Sequence, residues 1–507
     1  VLLALNITLN AQNVVPEQCL SSITADELSG HIYKLASPAF EGRYTGSEGI
    51  RLAAEYIRSD FKKMGLESKE WGSGQPFFQA FSLNKCYWQD QQLTMDEVYL
   101  SPISDYFFIS DPQEIDGQYE VVYSGFGLDD EVYSDYTDIE VTGKLVVAFS
   151  GEPKDREGKY FISGQEKPSR KSYYFSKMKL ARDKGAAGLI IISSKDKDYR
   201  KYTKGMDDYR SRPDINYPGA RKDNEGDTFF TLFVSQKAAA DILGIKKRKL
   251  LKARNQTERE RLSKAGVYEG RLDVTTTKEC YPMNTENVIG YVEGSDLKDE
   301  AVIVVAHYDH LGKKGDDIFF GADDNATGTA AVMEIAEAFT MAKKEGNRPR
   351  RTVIFMAVSA EEIGLHGSRY YTENPIIPLE KTFACVNIDM IGRVGSRYGE
   401  DPNYVGGWAY VSEDMLDIAC ESIKQVAPEF ECKMNYRERV SGGSDHYYFA
   451  RSGVPSLFYF TGIHEDYHEP TDTPDKILYD RMEGITRSIF AAVWQLANRE
   501  EKLGIKN

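Results

Sequence analysis

Five side chains of metal-binding type are spread through the C-terminal part of the chain: His307, Asp324, Glu362, Asp389 and His468. Their placement follows a rule. His307 ends the apolar run 301–306, Glu361 and Glu362 come just after 352–358, Asp389 follows 382–388, and the run 454–460 leads through a short loop to His468. Asp324 lies in the turn 321–328, whose small residues allow close backbone approach and whose Asn325 or Thr327 can cap the helix that follows. Six of the seven histidines fall from His307 onward, with only His31 outside. Imidazole and carboxylate without thiolate is the ligand set of a hydrolytic zinc, with manganese or cobalt as substitutes. Asp309, two residues after His307, shares its face in an extended segment and is placed to hold the imidazole by its second nitrogen.

Charge sets the number of ions. Asp324, Glu362 and Asp389 as ionised ligands give three negative charges, which two divalent ions and one bridging hydroxide bring to neutrality. A single ion would leave mutually repelling carboxylates. The adjacent pair Glu361 and Glu362 cannot point the same way at a strand end, so one carboxylate binds metal and the other faces the metal-bound water as general base.

These residues need a frame that brings distant strand ends to one rim. The runs 301–306, 352–358, 382–388 and 454–460 are apolar on both faces and alternate with helical patterns, such as the one starting at Ala330. That predicts an α/β fold with a mostly parallel central sheet and helices on both faces, its chemistry collected at the carboxyl ends of the strands. Upstream, 49–64 carries one apolar helical face, followed by a Gly/Trp-rich loop around 72–74. From about Val98 the character shifts to short segments: strands over 120–127, 144–150 and 187–193, a helix over 174–184, and a charged helix over 235–264. The last carries Lys246, Lys247, Arg248 and Lys249, a solvated face offset by the 258–260 acidic cluster. The expected divisions are 1–12, a signal-peptide remnant; 13–97, the N-terminal part of the main domain; 98–275, an inserted β-rich module; and 276–507, the C-terminal part of the main domain.

Composition narrows the classes. With 507 residues, 41% of them apolar, the chain has ample material for several cores. A net charge of −16 excludes nucleic acid as a partner, and no apolar stretch is long enough to span a bilayer. The apolar first dozen residues read as the tail of a secretory signal, or else as a frayed strand, and the former implies export to a periplasmic or extracellular space. The six cysteines are even in number but sparse, without a CxxC pair. Cys420 and Cys432 are spaced for a local bridge; Cys19, Cys86, Cys280 and Cys385 are expected as buried thiols.

His307-Tyr308-Asp309, Gly321-Ala322-Asp323-Asp324-Asn325, Ala360-Glu361-Glu362-Ile363-Gly364-Leu365-His366-Gly367-Ser368, Asn387-Ile388-Asp389-Met390, and Tyr467-His468 with Asp472-Thr473 resemble, in order and spacing, the motifs of the co-catalytic zinc exopeptidases. That family holds bacterial and yeast aminopeptidases, glutamate carboxypeptidase, the glutaminyl cyclases and the transferrin receptor. Gly125-Phe126-Gly127, the segment 143–147 and the segment 184–191 resemble the protease-associated domain inserted in many members, and Glu41-Gly42-Arg43 with Gly46-Ser47 the family's opening. The resemblance implies two Zn2+ per chain bridged by Asp324, with Glu362 and His468 on one and His307 and Asp389 on the other. It implies Glu361 as general base, Asp309 as the partner of His307, and Tyr467 or the Asp445-His446 pair as stabiliser of the oxyanion.

The expected activity is a di-zinc aminopeptidase acting on peptides through a zinc-bridging hydroxide. The alternatives are a carboxypeptidase of the same family, with Arg393, Arg437 or Arg439 on the substrate carboxylate, and a receptor-like relative without chemistry. His310, His366 and His464 read as supporting residues. Ser444-Asp445-His446 cannot act as a serine triad, because chain neighbours cannot line up as nucleophile, base and orienter.

Overall fold

The structure is a computed structural model that describes residues 14–69, 75–95, 98–109, 114–204, 206, 213–218, 229–399 and 401–505. The expected signal remnant and the loop at 72–74 lie outside these residues. The chain divides into two units, one formed by the residues to Ser82 and from Met283 onward, the other by Leu83–Pro282.

In the first unit the apolar runs form strands that pair in the order Glu431–Arg437, Tyr404–Tyr410, Ser456–Tyr459, Thr382–Ile388, Leu297–His307, Arg351–Val358 and the C-terminal part of Glu269–Val292. The four central strands, Ser456–Tyr459 to Arg351–Val358, are parallel to their neighbours, and antiparallel pairs flank them on both sides. The pleat explains why these strands are apolar throughout. Val302, Val304 and Ala306 pack on one face with Ala330, Ile335, Phe339, Ile489 and Trp494 from the helices Gly328–Lys344 and Tyr479–Asn498. Ala301, Ile303 and Val305 pack on the other with Tyr371 and Phe449 from His366–Glu373 and His446–Arg451. Parallel strands end at one edge, so His307, the Glu361–Glu362 pair and Asp389 emerge on the same rim.

The second unit has its own sheet: the N-terminal part of Glu269–Val292, then Ile115–Tyr123, Leu145–Phe149, Gly188–Ile192, Phe230–Val234 and Tyr106–Phe108. Its middle strands pair in parallel and are accompanied by helices. The charged helix expected over 235–264 is two helices, Gln236–Ile242 and Lys247–Glu260, separated by Gly244 at φ 61°. Junctions expected at 98 and 275 fall inside this unit. Phe78–Met95 and Glu269–Val292 are single long strands, largely alternating in burial, that run through the transitions without a turn or linker.

Two disulfides join Cys86 to Cys280 and Cys420 to Cys432, while Cys19 and Cys385 are buried thiols. Cys86 and Cys280, expected free, lie on two strands that pair with each other, a proximity invisible in linear spacing. No described helix is long and apolar enough to cross a membrane.

Candidate metal centre

All five metal-type side chains meet in the first unit. His307 Nε2 stands 3.4 Å from Asp324 Oδ1 and 3.4 Å from Asp389 Oδ1. His468 Nε2 stands 3.1 Å from Asp324 Oδ2 and 3.2 Å from Glu362 Oε2. Two ligand atoms each about 2.0–2.1 Å from one tetrahedral ion lie about 3.3–3.4 Å apart, so these are separations that ligands of a shared divalent ion adopt. His307 Nε2, His468 Nε2 and Asp389 Oδ1 have no hydrogen-bond partner among the described residues. Such buried polar atoms are costly unless something else satisfies them, and a cation at each group would.

The turn that carries Asp324 is held from three sides. The Asp472 carboxylate accepts the backbone N–H of Asp323 and Asp324 at 3.0–3.1 Å. Asn325 donates to the Ile388 carbonyl and accepts from the N–H of Gly328 and Met390, so it caps the helix while tying the turn to the Asp389 strand. Thr327 hydrogen-bonds Asp323 instead, and His464 Nε2 is 3.2 Å from the same carboxylate. Gly321, at φ 57°, admits the close approach of His310, whose ring a Cβ there would meet at 2.5 Å.

Asp309 departs from its expected role. Its Oδ1 is 3.7 Å from His307 Nδ1, too long for a hydrogen bond, and the nearer acceptor is its own carbonyl at 3.2 Å. The carboxylate accepts instead from Thr45 Oγ1 and from the backbone N–H of Glu361 and Glu362 at 3.1, 3.1 and 3.3 Å. It therefore orients the acidic pair. His310 reinforces this arrangement through Nδ1, 2.7 Å from Glu362 Oε1. His366 is buried at the start of the helix after the pair, and burial lowers its pKa to about 4. Arg43, fully buried, donates to the carbonyls of Leu35, Tyr308, Phe320 and Gly321 and so joins the backbone on either side of the His307 and Asp324 segments.

The electrostatics are those of a cluster short of positive charge. Burial opposes protonation of His307 and His468, yet the surrounding carboxylates overcome it, holding His307 well above its usual range and raising His468 to about 10. For Asp324 burial works upward, but the two imidazoles beside its carboxylate prevail and push its pKa far down. Burial raises Glu361 well above the carboxylate range, and Asp445, Asp389 and Glu362 add to it. Tyr467 stacks on His468 with ring centroids 3.8 Å apart; burial and the carboxylates keep its hydroxyl protonated. His446 Nε2 lies 3.1 Å from the Ser441 carbonyl, and burial lowers its pKa to about 4, leaving it neutral.

A cavity of about 300 Å3 opens beside the cluster, with Glu361, Asp389 and Tyr467 among its walls. Arg437 lines it, as does Arg397, which the sequence did not single out; Arg439 does not, and Arg393 is engaged with Asp466 at 3.1 Å.

A parallel-centred α/β sheet whose carboxyl rim gathers histidines and carboxylates at ligand spacing defines an α/β metal-site protein. Residues 287–493 match the model of Peptidase family M28, so this part of the chain is similar to that family. It is 27% identical over 299 residues to a probable zinc metalloprotease of Pyricularia oryzae, covering 48% of this chain and 58% of that protein. It is 25% identical over 234 residues to aminopeptidase YwaD of Bacillus subtilis, covering 43% and 46%. The chain spans about half the length of these curated relatives. The fold is that of the aminopeptidase from Aneurinibacillus sp. strain AM-1, with a TM-score of 0.57 at 18% identity over 97% of this chain and 98% of that one.

Proposed function

We propose that the protein is an aminopeptidase with two zinc ions per chain. One observation carries the reading: the two oxygens of Asp324 face two separate histidine–carboxylate pairs, His307 with Asp389 and His468 with Glu362. Zinc is favoured by the thiolate-free nitrogen and oxygen donors and by the relative named a zinc metalloprotease. Bound there, the ions would supply Lewis-acid polarisation of a peptide carbonyl and lower the pKa of water.

The chain's own groups do the rest. Glu361, held by the Asp309 bond to its backbone, takes a proton from the attacking water and gives it to the leaving amine. Tyr467 keeps its proton and lines the cavity, so its O–H can donate to the oxyanion. The free amine of the substrate docks among the carboxylates at the metal end of the cavity, where a cation is welcome. Two disulfides support an exported protein, since such bonds persist outside reducing compartments. The motifs at 125–127, 143–147 and 184–191 lie within Leu83–Pro282 and support that unit as the protease-associated module.

The test is hydrolysis of a panel of chromogenic aminoacyl anilides beside amino-blocked peptides, with and without chelator. Cleavage of the free-amine substrates that stops on chelation and returns with zinc is expected. Cleavage of the blocked peptides alone would overturn the aminopeptidase reading in favour of the carboxypeptidase.

A further inference from the structure

The cavity has a wall that the proposed reaction does not use. Trp408 and Phe458 face each other across the antiparallel pair Tyr404–Tyr410 and Ser456–Tyr459, their rings 5.4 Å apart, and Phe460 lies 5.8 Å from Trp408. Gly407, at φ 149°, makes this close approach possible, because a Cβ there would stand 2.0 Å from the Phe458 carbonyl oxygen. Two guanidinium groups rest on the indole of Trp408: Arg437 at 4.5 Å and Arg397 at 4.9 Å from the ring centroid. Both arginines line the cavity, as do Glu361 and Asp389. Among the described residues Arg437 has no carboxylate at ion-pair distance, and its recorded hydrogen bond is a long one of 3.4 Å to Ser441 Oγ.

A metalloenzyme that binds a peptide's amine needs carboxylates at the metal end, and these are present. It does not need two cations in the same cavity. Stacking on an indole fixes the plane of a guanidinium and leaves its N–H fork pointing outward, the arrangement that meets a carboxylate with two parallel hydrogen bonds. The Trp408, Phe458 and Phe460 rings offer apolar surface for the methylenes that precede such a carboxylate. An apolar side chain would leave the Arg437 fork without a carboxylate acceptor in a narrow cavity, and a basic one would be repelled.

We infer that this wall is a carboxylate-selective pocket and that the preferred substrate is a peptide beginning with glutamate or aspartate. The inference rests on the aminopeptidase reading and goes beyond it by naming the side chain. The same pair of forks could instead take a C-terminal α-carboxylate, so the test separates the two sources.

Glutamyl, aspartyl, glutaminyl, leucyl and lysyl anilides are compared on the zinc-loaded protein, together with amino-blocked dipeptides ending in a free carboxylate. Calorimetry of free L-glutamate, L-glutamine and L-leucine provides a readout apart from turnover. Glutamyl anilide is expected to exceed glutaminyl by about tenfold or more in kcat/KM, and L-glutamate to bind tighter than L-glutamine by a similar factor. Arg437→Gln should remove most of both differences, lowering the glutamyl-to-leucyl ratio of kcat/KM by about tenfold; Arg397→Gln, at an exposed position, should have the smaller effect. Leucyl hydrolysis without any acidic preference, or an Arg437→Gln variant slowed equally on every anilide, would overturn the pocket and leave the aminopeptidase standing. Arg437-dependent cleavage of the blocked dipeptides alone would keep the carboxylate pocket and overturn the aminopeptidase.

Discussion

Glu361 and Glu362 are neighbours in the chain with opposite surroundings. Burial presses both upward, but Glu362 has the imidazoles of His310 at 2.7 Å and His468 at 3.2 Å, and these neighbours bring its pKa below the usual range. For Glu361 burial is the largest influence; the charge of His307 opposes it, but Asp445, Asp389 and Glu362 add to it, and its pKa rises. Two carboxyls driven apart by their environments divide the labour of ligand and proton carrier. Replacing Glu361 by Gln should keep the metal content and lower kcat by about 10²–10⁴-fold, read by metal analysis beside steady-state rates. Full turnover would remove Glu361 from the mechanism. The imidazoles make a second expectation. In chelated protein His307 and His468 hold protons at neutral pH, because carboxylates raise both, His468 to about 10. A charged His468 stabilises that form below the ordinary histidine pKa, and the contribution fades as pH rises through about 10. Metal must displace those protons, so apparent affinity should climb with pH and binding should release protons. Calorimetry in two buffers of different ionisation enthalpy measures the release, and equal heats in both would contradict it.

At the scale of elements, the site depends on a turn that no hydrophobic pattern encodes. Asp472 offers one carboxylate to the N–H groups of both Asp323 and Asp324, so Asp472→Asn sets an amide N–H2 where an acceptor is needed. The fold should survive while metal affinity falls by about 10–100-fold, measured by competition with a chromophoric chelator. Unchanged affinity would show that the turn holds itself. The sequence made the central strands readable because two packed faces demand unbroken apolar runs, and those runs led directly to His307, Glu362 and Asp389. Asp472 was seen only as part of a motif, since its partners are backbone N–H groups that composition cannot reveal. Trp408, on the Tyr404–Tyr410 strand, went unread because Gly406 and Gly407 interrupt the pattern there, although packing needs Gly407. The same blindness hid Phe78–Met95 and Glu269–Val292, whose alternating, half-exposed residues carry a weaker signal than a buried run.

Across the whole molecule, two kinds of cross-link act on two units with separate cores. The proposed metals join strand ends of the first unit. Cys86–Cys280 closes a sequence separation of 194 residues and so encircles nearly all of Leu83–Pro282. Closing a loop of that length restricts the unfolded chain by an amount worth on the order of 5 kcal/mol in the chain-entropy account, near the top of the range for disulfides. The second unit also relies on Lys177, a buried amine whose Nζ donates to the carbonyls of Phe126, Phe149 and Gly151 and holds the helix Tyr174–Asp183 against the strand ends. Loosening the loop should therefore be felt at Leu145–Phe149 and Gly188–Ile192. Hydrogen exchange on the full chain separates the two cross-links: the Cys86→Ser, Cys280→Ser double variant should speed exchange in those strands, while chelation of the parent protein should speed it in the 321–328 turn. Faster exchange at 321–328 in the serine variant, with the second unit's strands unchanged, would mean that the bridge does not stabilise the unit it encloses.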